Sequence, residues 1–269
     1  MEEMNESFLI RTESFSYCRN KGENVMNQNI PLSNRLKLIA DYLPQGANFA
    51  DIGSDHAYLP AYVCLRDKTA RAIAGEVNQG PLESAKKTIQ LHQLKERIDV
   101  RLGDGLAVLK EGEAQQIVIA GMGGSLITSI LEKNPVIAKS AGRIIAQPNV
   151  DARAVRQWLN QNDFILIAEE IVDEQGHIYE ILVADRNTGV SSPYNDNQQI
   201  KDKQLLLGPY LLNEKNNAFI KKWTLEEANL KRIISQMQQA KQVNHEKISA
   251  FQTELHWIKE ELHHEETNT

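Results

Sequence analysis

The sequence is poor in the features that mark secreted and membrane proteins. Its 269 residues contain only two cysteines, Cys18 and Cys64, and their unlike contexts argue against a structural disulfide. No apolar run approaches the roughly 20 residues that a membrane-spanning helix needs. The acidic start Met1-Glu2-Glu3-Met4 lacks the basic and apolar regions of a secretory signal. These absences predict a cytoplasmic protein with no membrane partner.

Several signatures of chemistry are also missing. No second cluster of His, Cys or Asp accompanies the pair Asp55–His56 at ligand spacing, so we expect no metal site. No serine has the context of a nucleophile elbow, and no phosphate-loop lysine is found. The net charge of −6 argues against nucleic-acid binding over the whole surface. RNA binding stays possible, because a local basic patch is enough for phosphate contacts.

What the chain does contain divides it into three segments. Residues 1–28 are polar and lack periodicity, which predicts a disordered extension. Residues 29–188 alternate short apolar runs with helical patterns and are predicted to form an α/β domain. Residues 200–263 carry apolar side chains at 3–4 spacing, which predicts a C-terminal α-helical coiled-coil hairpin. We expect this hairpin either to grip a partner or to support dimerisation.

The strand pattern within 29–188 predicts a specific sheet. Five βα units are followed by two strands, 164–172 and 178–184, whose link is too short for a crossover, so these strands must be antiparallel. A seven-stranded sheet with an antiparallel terminal hairpin is the Rossmann-like architecture of class I S-adenosylmethionine-dependent methyltransferases. The hairpin distinguishes this fold from that of nicotinamide-dependent oxidoreductases, which is the alternative enzyme class.

The loop after the first strand is the first candidate cofactor site. Asp51-Ile52-Gly53 ends that strand, and Glu76 ends the second. A glycine at a helix amino end lets a ligand approach unpaired N–H groups, and a carboxylate after the second strand can bind both ribose hydroxyls of an adenosine. Asp55 and Ala57 replace the second and third glycines of the usual loop. The alternative is an ordinary turn in which Asp51 caps the helix.

The next two strands end in further glycine-rich turns. In Gly103-Asp104-Gly105, the carboxylate can accept a hydrogen bond from the exocyclic amine of a cofactor adenine, or bond its own backbone in a turn. Gly121-Met122-Gly123-Gly124 is predicted to leave an open floor on which Met122 packs beside the ligand. Close packing of a helix on a strand is the competing explanation, above all for Gly124.

The fifth strand ends in Gln147-Pro148-Asn149. Two amides at this edge can read a base, because amides pair with adenine through two hydrogen bonds. A strand end followed by a capped helix explains the motif equally well. Nearby cations include Arg143 and Arg153, which we expect to bind substrate.

Taken together, these motifs resemble those of the TrmK family, the bacterial tRNA (adenine-22 N1)-methyltransferases. The resemblance runs from about Leu32 to the end of the chain and rests on five ordered motifs: Asp51–Pro60, Gly75-Glu76, Gly103–Leu106, Ala120–Gly124 and Gln147-Pro148-Asn149. It implies S-adenosylmethionine as the methyl donor and N1 of an adenine in the tRNA D-arm as the acceptor.

The resemblance also implies roles for the candidate residues. Side chains and backbone that would bind the cofactor are Asp51, Gly53, Glu76, Asp104, Gly105, Gly121, Met122 and Gly123. The catalytic candidates around the acceptor base are Asp55, His56, Gln147 and Asn149, and Arg35 is expected to contact phosphate. The alternative is a non-catalytic RNA- or partner-binding protein that keeps the fold. The expected assembly is a monomer or weak dimer.

Overall fold

The computed structural model describes residues 30–186 and 189–263. The predicted disordered extension, 1–28, lies outside these residues. Within them a single sheet has seven strands in the order β3-β2-β1-β4-β5-β7-β6. The strands are β1 Asn48–Ile52, β2 Arg71–Glu76, β3 Ile98–Leu102, β4 Gln116–Gly123, β5 Arg143–Val150, β6 Phe164–Glu174 and β7 His177–Arg186.

Helices cover both faces of the sheet and form the C-terminal part of the chain. Those in the first part are α1 Asn34–Asp41, α2 Tyr58–Arg66, α3 Gln79–Leu91, α4 Gly124–Lys133, α5 Pro135–Ser140 and α6 Ala152–Gln161. Those in the second part are α7 Gln198–Leu207, α8 Leu211–Glu214, α9 Asn217–Gln238 and α10 His245–His263. In the described part of the chain, no helix is both long and apolar enough to span a bilayer.

The topology confirms the predicted fold. Strands β1 to β5 pair in parallel, whereas β7 is antiparallel to both β5 and β6. Gln175 and Gly176, which join β6 to β7, both have positive φ, as a two-residue hairpin turn requires. The strand order reverses between β1 and β4, and ligands of such sheets bind beyond the carboxyl ends of the strands at that reversal.

Strand β4 shows why the apolar runs are unbroken. Ile117 and Ile119 pack into the core on one face of the sheet, while Val118 packs into the core on the other. Successive side chains of a strand point to opposite faces, so a strand that is covered on both faces needs apolar residues throughout.

Strands β4 and β5 extend past the carboxyl ends that their apolar runs predict. Strand β4 continues through Gly123 instead of ending at Ala120, and β5 continues through Val150 instead of ending at Ala146. Pairing between them persists past Ala120 with shifts of register, which mark a bulge. The Gly121–Gly123 and Gln147–Asn149 segments are therefore irregular strand ends held beside each other, not separate loops.

The helical hairpin α9–α10 packs onto the hairpin end of the sheet. Phe219, Trp223 and Ile258 share an apolar cluster with Ile171 of β6 and Leu211 of α8. The apolar faces of the two helices are therefore covered by β6 as well as by each other.

A buried cluster of charged side chains joins the helical part to the sheet. The guanidinium of Arg156 in α6 is fully buried and donates to Glu169 Oε1 at 2.6 Å and to Glu180. Lys222 of α9 also pairs with Glu180, and the backbone N–H of Tyr210 donates to Glu169 Oε2 at 3.0 Å. The cluster thus connects α6, β6, β7 and α9 through interactions that need all of these elements in place.

Candidate active site

The loop between β1 and α2 is tightly folded against β2. The N–H groups of Gly53 and Ser54 both donate to the carbonyl of Gly75, at 2.9 and 3.2 Å. Asp55, His56 and Ala57 then follow with φ values of 37°, 66° and 54°. Left-handed backbone is uncommon for residues other than glycine, and a run of three is a strained arrangement. This turn brings the chain from the strand end directly into α2.

Asp51 is buried beneath this loop. Its Oδ2 accepts a hydrogen bond from Ser54 Oγ at 2.6 Å. Burial raises the pKa of Asp51 to about 7; the Ser54 hydrogen bond opposes this rise and the nearby Glu76 adds to it. The capping alternative for Asp51 is wrong, because Ala57 occupies the N-cap of α2 and no side-chain hydrogen bond is made there.

Glu76, at the end of β2, carries a buried oxygen atom without a partner. Its side chain accepts a hydrogen bond from the backbone N–H of Asp55, yet Oε1 has none from any described residue. Burial raises the pKa of this carboxyl despite that hydrogen bond. Buried polar atoms are nearly always paired in folded proteins, so an orphaned carboxylate oxygen at the end of β2 fits a ligand hydroxyl.

The glycines at the end of β4 differ in what surrounds them. A Cβ at Gly53 would overlap Met122 Cε, so the Met122 side chain lies over the β1 loop between β1 and β4. Gly121 has φ of +78°, and a Cβ there would lie 3.9 Å from Arg35 Nη1, an ordinary contact. At Gly124, in contrast, a Cβ would overlap the Asp151 carbonyl oxygen. Close packing therefore explains Gly124, whereas Gly121 and Gly123 leave the floor open.

The turn after β3 lies at the outer rim of the crevice. Asp104 is exposed, and its Oδ2 accepts from Lys133 Nζ at 2.9 Å instead of from its own backbone. Gly105 has φ of +55°, and a Cβ there would lie 2.9 Å from Ile130 Cγ2. The helix α4 thus fixes this turn through one ion pair and one close approach.

The amides at the end of β5 form a closed ring with the end of β4. Gln147 Oε1 accepts from Arg35 Nη1 at 2.5 Å and from the Gly121 N–H at 3.1 Å. Gln147 Nε2 donates to Asn149 Oδ1 at 3.1 Å, and Asn149 Nδ2 donates to the Gly121 carbonyl at 2.8 Å. Gln147 is fully buried and Asn149 is exposed. The structure therefore brings Arg35, Gln147, Asn149 and Gly121 together.

Asp55 and His56 lie on the exposed side of the β1 loop. The His56 ring stacks on Tyr58 with 5.2 Å between centroids and 9° between planes. Its Nε2 is 3.5 Å from Asp55 Oδ1. Over residues 30–186 and 189–263, no group of three His, Cys, Asp or Glu side chains is arranged to hold a metal ion.

The two arginines expected to bind substrate occupy different places. Arg143 begins β5, so it lies at the amino edge of the sheet, away from the crevice, where it donates to Asp185 at 2.6 and 2.7 Å and to the Tyr42 carbonyl. Arg153 lies in the first turn of α6 and donates to Glu254 of α10 at 2.7 Å. The structure does not bring Arg143 to the site.

Tyr179 is a site residue that the sequence motifs did not indicate. The Arg35 guanidinium lies 5.1 Å from the centre of the Tyr179 ring, a cation–π contact. Because β7 is antiparallel to β5, its first residues lie at the carboxyl edge of the sheet. The reversed strand was predicted, and an aromatic residue at its start was the signal that could have indicated this position.

The fold and the site together define a class of protein. A parallel sheet with a reversed terminal strand, and buried carboxylates after β1 and β2, is the arrangement of a class I S-adenosylmethionine-dependent methyltransferase. Residues 49–260 match the model of the TrmK family, tRNA (adenine(22)-N(1))-methyltransferase. The chain belongs to this family, which confirms the resemblance drawn from the motifs.

Individual relatives agree with this assignment over most of their length. The Bacillus subtilis (strain 168) tRNA (adenine(22)-N(1))-methyltransferase is 43% identical over 89% of this chain and 100% of its own. The crystal structure of the B. subtilis enzyme superposes with a TM-score of 0.78 at 41% identity, covering 87% of this chain and 100% of that one. Streptococcus pneumoniae Sp1610, solved with S-adenosyl-L-methionine, gives 0.73 at 38% identity, covering 86% and 100%.

Proposed function

We propose that this protein transfers a methyl group from S-adenosylmethionine to N1 of adenine 22 in the D-arm of tRNA. The observation that carries the proposal is the buried pair Asp51 and Glu76 at the reversal of strand order, with Glu76 Oε1 lacking a partner. Membership of the family supplies the acceptor nucleotide. A site in the cytoplasm, where tRNA is available, belongs to the same proposal.

The residues on the β1–β3 side would hold the cofactor. Glu76 Oε1 would accept from a ribose hydroxyl, and Gly53, whose missing side chain makes room for Met122 Cε, would bring that methionine beside the cofactor. Asp104 and Gly105 border the position of an adenine ring, while the open floor at Gly121–Gly123 leaves room for the reacting groups. The cofactor supplies a methyl carbon on a sulfonium sulfur, which takes the carbon–sulfur electron pair when the methyl leaves.

The acceptor side needs no general base. N1 of neutral adenine has a lone pair in the plane of the ring, so no proton has to be removed before the new bond forms. The chain therefore contributes alignment of N1 and stabilisation of the shifting charge. Because N1 lies on the Watson–Crick edge, the base must leave its stack first. Asp55, His56 and Asn149 are the exposed side chains that border the position it would take, and the buried Gln147 supports Asn149 from behind.

The helical hairpin supplies a surface for the tRNA backbone. At its base, the acidic side chains Glu254 and Glu261 are paired with Arg153 and with Lys203 and Lys215. At its tip, residues 232–250 contain a single acid, Glu246, and the exposed cations Arg232, Lys241 and Lys247. Cations that are not neutralised locally bind phosphate, so we place a backbone contact at the tip.

Methylation of bulk unmodified tRNA with labelled donor tests the activity directly. The expected product is 1-methyladenine at position 22, located by primer extension or mass spectrometry. Cofactor binding without any tRNA methylation would favour the non-catalytic alternative, and methylation at another nucleotide would contradict the acceptor assignment.

The role of Glu76 is tested by calorimetry on the Glu76→Ala variant. Loss of a hydrogen bond to a charged group costs about 1.5–3 kcal/mol, so cofactor affinity should fall about 10-fold to 100-fold. Glu83→Ala, on the exposed face of α3, is the matched control and should bind normally. Unchanged affinity of Glu76→Ala would remove the observation on which the cofactor site rests.

We propose that the protein is a monomer or weak dimer. The apolar face of the hairpin is covered by its own helices and by β6, which leaves it little surface for a stable dimer. Light scattering across a concentration series should give the mass of one chain at low concentration. A constant dimer mass would contradict this.

A further inference from the structure

We infer that Arg35 is a positioning residue: through Gln147 it orients Asn149 so that this amide reads the N6/N7 edge of the acceptor adenine and leaves N1 free. The inference rests on the proposed function and specifies how the acceptor base is held. Its starting point is the ring of hydrogen bonds between the ends of β4 and β5.

The orientation of the Gln147 amide is dictated by its neighbours. One end of the amide meets Arg35 Nη1 at 2.5 Å and the Gly121 N–H at 3.1 Å. Both of these groups can only donate hydrogen bonds. The acceptor oxygen Oε1 must therefore face them, and the nitrogen Nε2 must point the other way.

This orientation passes along the ring to Asn149. Because Gln147 Nε2 donates, the atom it meets at 3.1 Å has to be the acceptor Oδ1 of Asn149. The Asn149 nitrogen then faces the Gly121 carbonyl, an acceptor, at 2.8 Å. Every donor in the ring meets an acceptor in one arrangement only. The Gly121 backbone requires this arrangement, and the Arg35 cation strengthens it with a second, charged hydrogen bond to Gln147 Oε1.

Contacts with Tyr179 and at the start of α1 fix the position of Arg35. Its guanidinium lies against the Tyr179 ring at 5.1 Å. The helix α1 that carries it is fixed at its start, where the Asn34 N–H donates to Glu174 Oε1 at 2.5 Å and Ser33 Oγ accepts from the Leu36 N–H. A side chain turned inward onto a buried amide is not disposed to contact phosphate, the role predicted for it from the sequence.

Asn149 keeps the hydrogen-bonding capacity that the base needs. It is exposed, and after its two bonds in the ring one N–H and one lone pair of its amide remain. The remaining N–H can donate to N7 of adenine. N1 lies on a different edge of the ring, so a base held in this way presents N1 to the methyl donor. Gln147 is fully buried, so its own amide is not presented to the base.

A substrate lacking one atom tests the contact. A tRNA with 7-deazaadenosine at position 22 has no N7 acceptor. The wild-type protein should methylate it about 10-fold more slowly than normal tRNA, the loss expected when the hydrogen bond to N7 is missing. Removing N7 also changes the electron density of the ring and so the intrinsic reactivity of N1. The rates of Asn149→Ala on the two substrates measure this intrinsic effect. Apart from it, that variant should treat the two substrates alike.

The contribution of Arg35 is tested with the same two substrates. Arg35→Ala should lower kcat about 10-fold, leave KM for tRNA nearly unchanged and reduce discrimination against the 7-deaza substrate. Arg35→Lys, which retains a donor-only cation, should recover part of kcat and of the discrimination. Arg71→Ala, an exposed arginine at the amino end of β2, is the control and should behave as wild type.

Three results would overturn the inference. For each substrate, the wild-type rate is divided by the rate of Asn149→Ala. The first contradicting result is a ratio that is the same for normal tRNA and for the 7-deaza substrate. Another is undiminished discrimination by Asn149→Ala. The third is an Arg35→Ala variant whose KM for tRNA rises at constant kcat, which is the behaviour of a phosphate contact. Calorimetric cofactor affinity verifies that each variant is folded, and absence of any methylation by wild type would instead refute the proposed function.

Discussion

The Asp51 carboxyl is placed where water cannot solvate its charge. In the folded protein burial raises its pKa to about 7, whereas an aspartate in an unfolded chain titrates near 4. Between these values the folded protein binds a proton that the unfolded chain releases. The contribution of this group to stability is therefore complete below about pH 4 and is lost as pH rises towards 7.

Replacing Asp51 by Asn should remove this loss. Without cofactor, the Tm of Asp51→Asn relative to that of wild type should be higher at pH 7.5 than at pH 5, because most of the loss falls between these two values. An increase on the order of 2 kcal/mol corresponds to about 5 °C for a chain of this size. Differential scanning fluorimetry at the two pH values measures it. A Tm difference that does not change with pH would show that Asp51 is ionised in the fold throughout.

At the residue scale, the sequence predicts where in the fold a side chain lies better than it predicts which groups that side chain contacts. Asp51 and Glu76 were found because each ends a strand, and strand ends can be read from the pattern of apolar residues. Arg143 also had a readable position, since it begins its strand and must lie at the opposite edge. Tyr179 was missed because its contact with Arg35 joins segments that are distant along the chain.

At the scale of elements, α4 can pack against the β5–α6 turn only because Gly124 has no side chain. The Gly124 α-carbon faces the backbone of Asp151, which cannot move aside as a flexible side chain could. Strand boundaries were predicted less well, because pairing between β4 and β5 continues through a bulge that the alternation of residues does not reveal.

Gly124→Ala should consequently destabilise the protein by about 2 kcal/mol, the range seen for overpacked sites. Gly80→Ala is the control, because Gly80 is in α3 and no residue other than its chain neighbours lies within 4 Å of a Cβ there. Alanine favours helix, but the following Pro81 opposes a Cβ, so this control should stay within about 0.5 kcal/mol of wild type. Urea denaturation compares the two variants, and a Gly124→Ala protein as stable as the Gly80→Ala control would contradict the close-packing explanation.

The buried charge cluster is the connection between the sheet and the helical elements. Arg156→Met should leave Glu169 and Glu180 buried with one cation fewer, and breaking such a pair costs about 3–5 kcal/mol. The unfolding midpoint should fall sharply, and α9 should lose protection from hydrogen exchange before the sheet does. Arg71→Met, at an exposed position, should leave both measurements unchanged. A small change for Arg156→Met would mean that apolar packing alone holds the helices.

For the whole molecule, the important property of the hairpin is where its charges lie. The sequence showed that its charges nearly balance, but not that the acids at the base are paired with cations outside it. Contacts such as Lys203 with Glu261 depend on the tertiary fold. The spacing of apolar residues therefore predicts the two helices, but the distribution of unpaired charge along them follows only from the tertiary structure.

Neutralising the tip should weaken tRNA binding without affecting the cofactor. In a variant with Arg232, Lys241 and Lys247 all changed to Gln, KM for tRNA should rise. The slope of log KM against log salt should fall by up to about 0.9 for each phosphate that the variant no longer binds. The control changes three lysines that are exposed elsewhere on the chain, Lys68, Lys87 and Lys95. An equal effect in both variants would assign the tip no specific role.

The left-handed run Asp55-His56-Ala57 has a consequence for engineering this protein. Glycine at these positions would remove a conformational cost of about 1 kcal/mol each. A double variant that combines Asp55→Gly with His56→Gly should therefore raise Tm while removing two side chains that we propose border the acceptor. If activity falls as stability rises, the native loop is a compromise between durability and turnover, and a more durable enzyme would have to be sought by changes outside this loop.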